Sequence, residues 1–484
     1  MFSILTILGA ICIIWWLAIL SISLIGHFEI MNNFNSIKRK PENVKLDAEG
    51  LVMDDDLLLE GVTILRPIKG IDPDLEKCLE SCLLQNYPSN KFQVIFCVED
   101  PNDPSIPIVL KLLKKHQGTK DCQLLIESAN FGPNPKVNNL AKGYKAAKFD
   151  IIWVLDSNVW VNPGTLVRSV ISLRQSLDNG KKTTDRPVKL VHHVPIAVNE
   201  PGSNATMGAK LDEMFLLTSH AKFYVFFNKA SIDSCVNGKS NLYRRSSLDE
   251  CVNKISQGQL SVTSQDNSSD AREFIGPGEG LRFFSRYIGE DNMIGIGLWR
   301  LGGRQGMTGD VAVQPMNNNK GADDSSVNLY QLSVSDYVKR RVRWLRVRKY
   351  MVLAATLVEP TTESIVIGLM GCSGLCQIVL NSFDFFWWLF ALHECVWCYI
   401  DFSQFTAVVN FANVDELAFK SNNDSSQNQI GLNKHIQFWS EWLPIWLLRE
   451  LLALPIWIIA MCGGTIDWRN KPFKINSDLS AVPL

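Results

Sequence analysis

Three acidic positions and one cationic motif carry residue types able to do chemistry: in chain order, Asp100, Asp156, Asp291 and Arg340-x-x-Arg343-Trp344. Asp100 closes the apolar run "FQVIFCVED" and Asp156 closes "IIWVLD". A carboxylate at a strand end projects from the sheet edge where ligands bind in open α/β folds. Asp291 follows Glu290 in "YIGEDNMIGIGLWRLGG", where a helical pattern opens. Such carboxylates can take a proton or hold a cation, a guanidinium fork grips two oxyanion oxygens, and an indole offers a flat wall. Each acid alone reads equally well as a turn or helix-start partner. Only the set is informative.

Those side chains need a scaffold, and the sequence from Val62 to about Val194 supplies one. Apolar runs "VTILR", "FQVIFCV", "CQLLIE", "IIWVLD" and "VKLVHHV" alternate with helical spacing. In "DLEKCLESCLL", Leu75, Cys78, Leu79 and Cys82 fall on one helix face. Near-continuous apolar strands alternating with helices predict an α/β fold with a mostly parallel sheet covered on both faces. Polar, turn-rich insertions at Asn32–Glu60, Asp178–Arg186, Gln257–Asp270 and Gln314–Ser326 read as solvated loops. No internal repeat is visible.

Lys and Arg number 48 against 49 Asp and Glu, a net charge of −1, so no nucleic-acid partner is expected. The basic run "KRRVRWLRVRK" at 339–349 is therefore a local placement. Residues Phe2 to Gly26 contain no charged side chain, long enough for an uncleaved transmembrane anchor. Lys38, Arg39 and Lys40 follow it, which places the next region in the cytosol by the positive-inside rule. Asn204 and Asn267, both in glycosylation sequons, would then stay unmodified; a third sequon lies at Asn423. The cysteines are scattered and several lie in apolar runs; Cys395-x-x-Cys398 has no second pair and reads as packing. Candidate spans after Pro360 are Ser364–Leu380, Phe385–Ile400 and Leu443–Cys462, with a polar, loop-like segment Asp401–Gln437 before the last. Three spans conflict with the basic tail "WRNKPFK", which prefers the cytosol and needs an even number; Glu394 or Arg449–Glu450 could mark a re-entrant or interfacial segment.

The order Asp, Asp, Asp, Arg-x-x-Arg-Trp, ending just ahead of membrane spans, resembles the signature of membrane-bound nucleotide-sugar glycosyltransferases. The stretches "LRPIKGIDPDLEKCLES", "NPKVNNLAKGYKAAKFDIIWVLDS", "TSHAKFY" and "IGED" narrow the likeness to the ceramide glucosyltransferase family, over roughly 62–359 and more faintly in "LLRELL…DWRNKPFK". The long polar insertions look fungal rather than animal. The resemblance implies a GT-A-like catalytic domain at 62–335, after an anchor at 1–27 and a linker at 28–61. An amphipathic interface helix at 336–359 and a membrane region with a basic tail at 360–484 would complete the chain. It further implies UDP-glucose as donor, ceramide as acceptor, β-glucosylceramide as product, and a Golgi membrane location with the catalytic domain facing the cytosol. Asp291 matches the family's base position and Asp100 the uridine contact. Asp156 would approach the diphosphate through Mg²⁺ or Mn²⁺, although Asn158 stands where a second Asp would complete a D-x-D motif. Arg340, Arg343 and Trp344 would bind substrate, and His220 falls in a matching stretch. Arg346, Arg348 and Lys349 are expected to meet membrane lipid headgroups. The Val338, Val342 and Leu345 stripe would then lie on the bilayer. A processive polysaccharide synthase shares the acidic triad but usually has Gln where Arg340 stands, and more spans. A catalytically inactive sugar-nucleotide or sphingolipid binder would lack a motif residue, and none is missing.

Overall fold

The computed structural model describes residues 4–34, 59–178, 186–199, 205–263, 268–316, 332–418, 437–468, 471–476 and 479–484. Most of three of the polar insertions, residues 264–267 of the fourth, the asparagines of all three sequons and the Lys38–Lys40 cluster lie outside the described residues.

Seven strands form one sheet: β1 (Val62–Ile68), β2 (Phe92–Val98), β3 (Asp121–Ile126), β4 (Ile151–Leu155), β5 (Val188–Val198), β6 (Ser240–Arg244) and β7 (Arg304–Pro315), in the order β3-β2-β1-β4-β6-β5-β7. The β1–β2, β1–β4, β2–β3 and β5–β7 pairs are parallel; only β6 runs against its neighbours β4 and β5. The fold is thus α/β with a mostly parallel sheet, as the strand pattern predicts. Every β2 residue is buried, because helices pack on both faces of this half. On one side lies the Leu75–Leu83 helix, with Leu75, Cys78, Leu79 and Cys82 all inward. The other face is covered by the Pro135–Ala146 and Arg245–Ser256 helices.

The apolar Ile4–Asn33 helix runs past the expected anchor and docks on the Ala221–Ala230 helix. At Gly26 the approach is so close that a Cβ would lie 2.2 Å from the Lys222 carbonyl oxygen. Among the described residues, two helices are long and apolar enough to cross a membrane, Ile4–Asn33 and Phe438–Cys462. Leu353–Thr362 and Ser364–Leu380 form a further pair bent by 78°. The polar segment after Ile400 differs from its loop expectation: one helix continues from Phe386 to Ala418. Buried pairing explains two of its polar residues, Asp401 and Gln404. Asp401 binds Lys222 Nζ at 2.7 Å and Trp446 Nε1 at 2.9 Å. Gln404 donates to the carbonyls of Leu217 and Thr218 at 2.7 and 2.9 Å.

The tail forms a small antiparallel sheet, β8 (Thr465–Trp468), β9 (Lys471–Ile475) and β10 (Ala481–Pro483). Phe473 and Ala481 pack on Ile288, with Val347 beside them, so the tail lies against the sheet-bearing part of the chain. The Val334–Met351 helix also differs from expectation. Its buried Val342 and Leu345, and Val338 beside them, join a core with the Met207–Phe215 and Leu443–Cys462 helices instead of facing a bilayer. Arg346 donates to the carbonyls of Thr465 (2.7 Å) and Ile459 (3.1 Å), and Lys349 to those of Met461 (2.9 Å) and Gly463 (3.2 Å). Cations at the open carbonyls of a helix C-terminus complement its dipole. Arg348 pairs with Glu359 at 2.8 Å. All three cations expected at lipid headgroups are bound within the protein.

Candidate active site

A cavity of about 630 Å³ opens at the carboxyl edge of the sheet, where β4 gives way to its loop. Asp156 begins that loop, and buried Arg66 holds it by donating to the carbonyls of Ser157 (3.0 Å) and Val159 (3.1 Å). Opposite stands the Glu290–Arg300 helix, with Glu290 and Asp291 in its first turn. The two are linked by Lys136, whose Nζ lies 2.9 Å from Asp156 Oδ1 and 3.1 Å from Glu290 Oε1. Local sequence places that lysine: Asn134 caps the Pro135–Ala146 helix, its side chain accepting from the amides of Lys136 and Val137, and proline fills the first turn. Lys239, just before β6, sits 3.4 Å from Asp156 Oδ2 and donates to Asn158 Oδ1 at 3.1 Å.

These contacts set the protonation states. Burial would raise the Asp156 carboxyl, but Lys136 and Lys239 overcome it and hold the group below its ordinary value. Asp291 is pushed up to about 7, first by burial and then by the Glu290 charge, with Lys136 opposing. One carboxylate is therefore fixed as an anion, while the other is poised to accept a proton near neutrality. If Asp291 is the base, activity should rise with pH, with its acid limb half-complete near 7, because the carboxyl must be ionised to accept a proton. Replacing Glu290 by Gln removes the like charge and should move that limb to lower pH. A pH profile of kcat/KM for both proteins checks this.

Asp156, Asp291, His220, Arg340, Arg343 and Trp344 all line the cavity. Arg340 is paired with buried Asp212. His220 ends the π-helical turn Leu216–His220, stacks on Tyr224 with ring centroids 4.1 Å apart, and meets Asn237 Nδ2 at 3.3 Å. Burial holds its pKa well below the ordinary value, so the ring is neutral. Asp100 stands apart: it is exposed, its Oδ1 accepts from the Asn102 amide at 2.8 Å, and Glu99 is the β2-end acid lining the cavity.

The donor set does not fit a resident divalent ion. Both Asp156 oxygens face ammonium groups, Asn158 Oδ1 is engaged by Lys239, and Glu290 shares Lys136. Among the described residues no three His, Cys, Asp or Glu side chains converge on a metal position.

The family model for glycosyl transferase family 21 matches residues 32–252 and 271–481. The chain belongs to glycosyl transferase family 21. A ceramide glucosyltransferase of Komagataella phaffii is 47% identical over 99% of this chain and 92% of its own. A ceramide glucosyltransferase of Candida albicans is 43% identical, over 98% and 97% respectively. Among solved structures, a Pyrobaculum calidifontis mannosyltransferase in complex with GDP-Man and Mn²⁺ aligns over 94% of this chain and 98% of its own, at 14% identity. Its TM-score to this chain is 0.39.

Sequence reasoning missed several cavity residues of this family 21 enzyme, Lys136, Lys239, Tyr224 and Glu359, and assigned a further one, Arg348, to lipid headgroups. Only "NPK", with its capping Asn and first-turn Pro, carried a readable signal for Lys136. Gly238 was also passed over, although a Cβ there would lie 2.6 Å from Asp291 Oδ2. Gly238→Ala must push the carboxylate aside, and misplacing a reacting group by an ångström can cost about 10²-fold. Turnover is expected to fall by that order with thermal stability little changed, which kcat and a melting curve together would establish.

Proposed function

We propose that this family 21 enzyme transfers glucose from UDP-glucose to the primary hydroxyl of ceramide with inversion. The observation that carries the reading is the poised Asp291 carboxyl in the cavity that also holds Asp156 and its two lysines. The names of the full-length relatives supply acceptor and sugar. As the acceptor oxygen forms its bond to the anomeric carbon, its proton passes to Asp291 and the bond to the diphosphate oxygen breaks, releasing UDP. Inversion follows from a single displacement with the base opposite the leaving group. Arg343, on the cavity wall, takes the developing phosphate charge, since a guanidinium fork suits two oxygens at once. Phe215, Leu216, Trp344 and Val347 give the cavity an apolar wall for the lipid acceptor, with His220 at its polar margin. Asp100, at the same sheet edge, is assigned to the uridine part.

Incubating solubilised enzyme with labelled UDP-glucose and ceramide, then resolving the lipids, tests the reading. A β-glucosylceramide product is expected. Labelled polymer, an α-linked product, or no transfer to ceramide would overturn it.

We infer a Golgi membrane location with the catalytic domain in the cytosol, where nucleotide sugars are made. The tail packs on the catalytic domain, so the intervening chain crosses an even number of times. The Leu443–Cys462 helix touches the catalytic domain near both ends, through Arg449 to Ser219 at 2.9 Å and through Arg346 and Lys349 at its last carbonyls. Asn204 and Asn267 should then carry no glycan. An endoglycosidase-sensitive mass shift lost on Asn204→Gln would place the domain in the lumen instead.

A further inference from the structure

Both ammonium groups at Asp156 look alike in charge, but they are held differently. Lys136 has two further anchors, Glu290 Oε1 at 3.1 Å and the Gly238 carbonyl at 3.2 Å, and its helix start is capped. Lys239 bonds through its ammonium to Asp156 and Asn158 alone among the described residues, at 3.4 and 3.1 Å, and lies on the cavity wall. Its backbone is fixed: the amide donates to Asn237 Oδ1 and the carbonyl accepts from the Asp156 amide, both at 3.1 Å. A fixed backbone with a flexible four-carbon stem lets the charge move while its origin stays put.

A divalent ion needs carboxylate oxygens that are not already neutralised, and Mg²⁺ uses one or two beside phosphate oxygens and water. Here both oxygens of Asp156 are paired with cations, Arg340 lines the same cavity, and the position two residues on offers an amide already engaged. Adding two positive charges at that point sets them against the lysines. An incoming diphosphate brings the opposite charge, and the lysine with the fewest anchors is the one free to answer it.

We propose that Lys239 is the movable cation of the donor site. It rests on Asp156 and Asn158 before the donor enters, and swings onto the diphosphate of the bound nucleotide sugar. There it supplies the charge that a divalent ion carries where a second carboxylate is present. Lys136 stays behind and keeps Asp156 paired. The inference deepens the donor reading above and rests on it.

The test is calorimetry on the full-length, detergent-solubilised enzyme with UDP and with uridine, each in EDTA and in Mg²⁺ or Mn²⁺. Wild type is expected to bind UDP in EDTA, with affinity changed only a few-fold by added metal. Lys239→Gln should weaken UDP in EDTA by about ten- to a hundred-fold, the loss of one charge-assisted contact. Its uridine affinity should be unchanged, and Lys239→Arg should bind UDP within a few-fold of wild type. Added Mn²⁺ should recover much of the Lys239→Gln loss, because a neutral amide leaves an Asp156 oxygen open to a cation. Wild type that binds UDP only with metal overturns the proposal. So does a Lys239→Gln protein that equals wild type in EDTA, or one that loses uridine as severely as UDP, which would mark a structural role. Wild type that binds neither ligand in any condition overturns the donor reading itself, and this inference with it.

Discussion

Substituting Asp291 by Asn is expected to cut turnover by about 10²–10⁴-fold, the usual contribution of a general base, while the affinity for UDP-glucose moves only a few-fold. The separation follows from where charge sits. Asp156, not Asp291, is ion-paired to both lysines, whereas Asp291 is the acid whose protonation is balanced near 7. Amide for carboxylate keeps the shape and removes the proton acceptor. Stability should not suffer. A carboxyl raised from its unfolded value of 3.8 binds a proton more tightly in the fold, so its ionised form costs stability as pH climbs toward and past 7. The neutral Asn variant should therefore melt no lower than wild type at pH 8. Single-turnover rates, donor binding and a melting curve together decide the case. Half of wild-type turnover with intact binding would show that another group takes the proton.

The largest expected loss of stability lies away from the chemistry, at Arg449. Its guanidinium meets Glu363 Oε2 at 2.8 Å and Ser219 Oγ at 2.9 Å, and it also pairs with Glu450, all buried. Removing one partner from a buried charge network leaves the others uncompensated and typically costs about 3–5 kcal/mol. Arg449→Met should lower the melting temperature strongly. Ser219 is the neighbour of His220 on the π-helical turn, so surviving protein should show impaired acceptor KM before impaired donor KM. Restoring charge balance with Glu363→Gln in the same chain should recover part of the stability. If Arg449→Met melts like wild type, the network contributes no net stability.

Much of this fold was legible because strands buried on both faces announce themselves as apolar runs, as β1, β2, β4 and β5 do; β3, a half-buried edge strand, still carries a short apolar run. β6 did not, being five residues long and opening on Ser240-Asn241, nor did β7, which begins with the polar, glycine-bearing "RQGMTG". Asp156 and Asp291 were found because acids at element ends are few and their order matched a known signature. Lys136 and Lys239 lie about a hundred residues apart, and a lysine in sequence looks like solvated surface until β4 and β6 pair. The basic cluster misled for a related reason. The carbonyls that Arg346 and Lys349 satisfy belong to a helix end more than a hundred residues downstream, and no local pattern reveals them.

The core that holds Ile19 and Ile30 of the first helix also holds Val194, Ile196 and Val313 of the sheet, together with Trp397 and Trp446 of the C-terminal helices. Apolar packing there is continuous across what the chain order suggests are separate modules. Excising the bilayer helices to obtain a freestanding water-soluble enzyme would cut through this shared interior rather than around it. The trimmed fragment should aggregate on expression, and the intact chain should melt in a single cooperative transition. Engineering toward solubility must therefore keep these helices and repaint only their lipid-facing sides, at positions such as Leu447, Leu451 and Ile458.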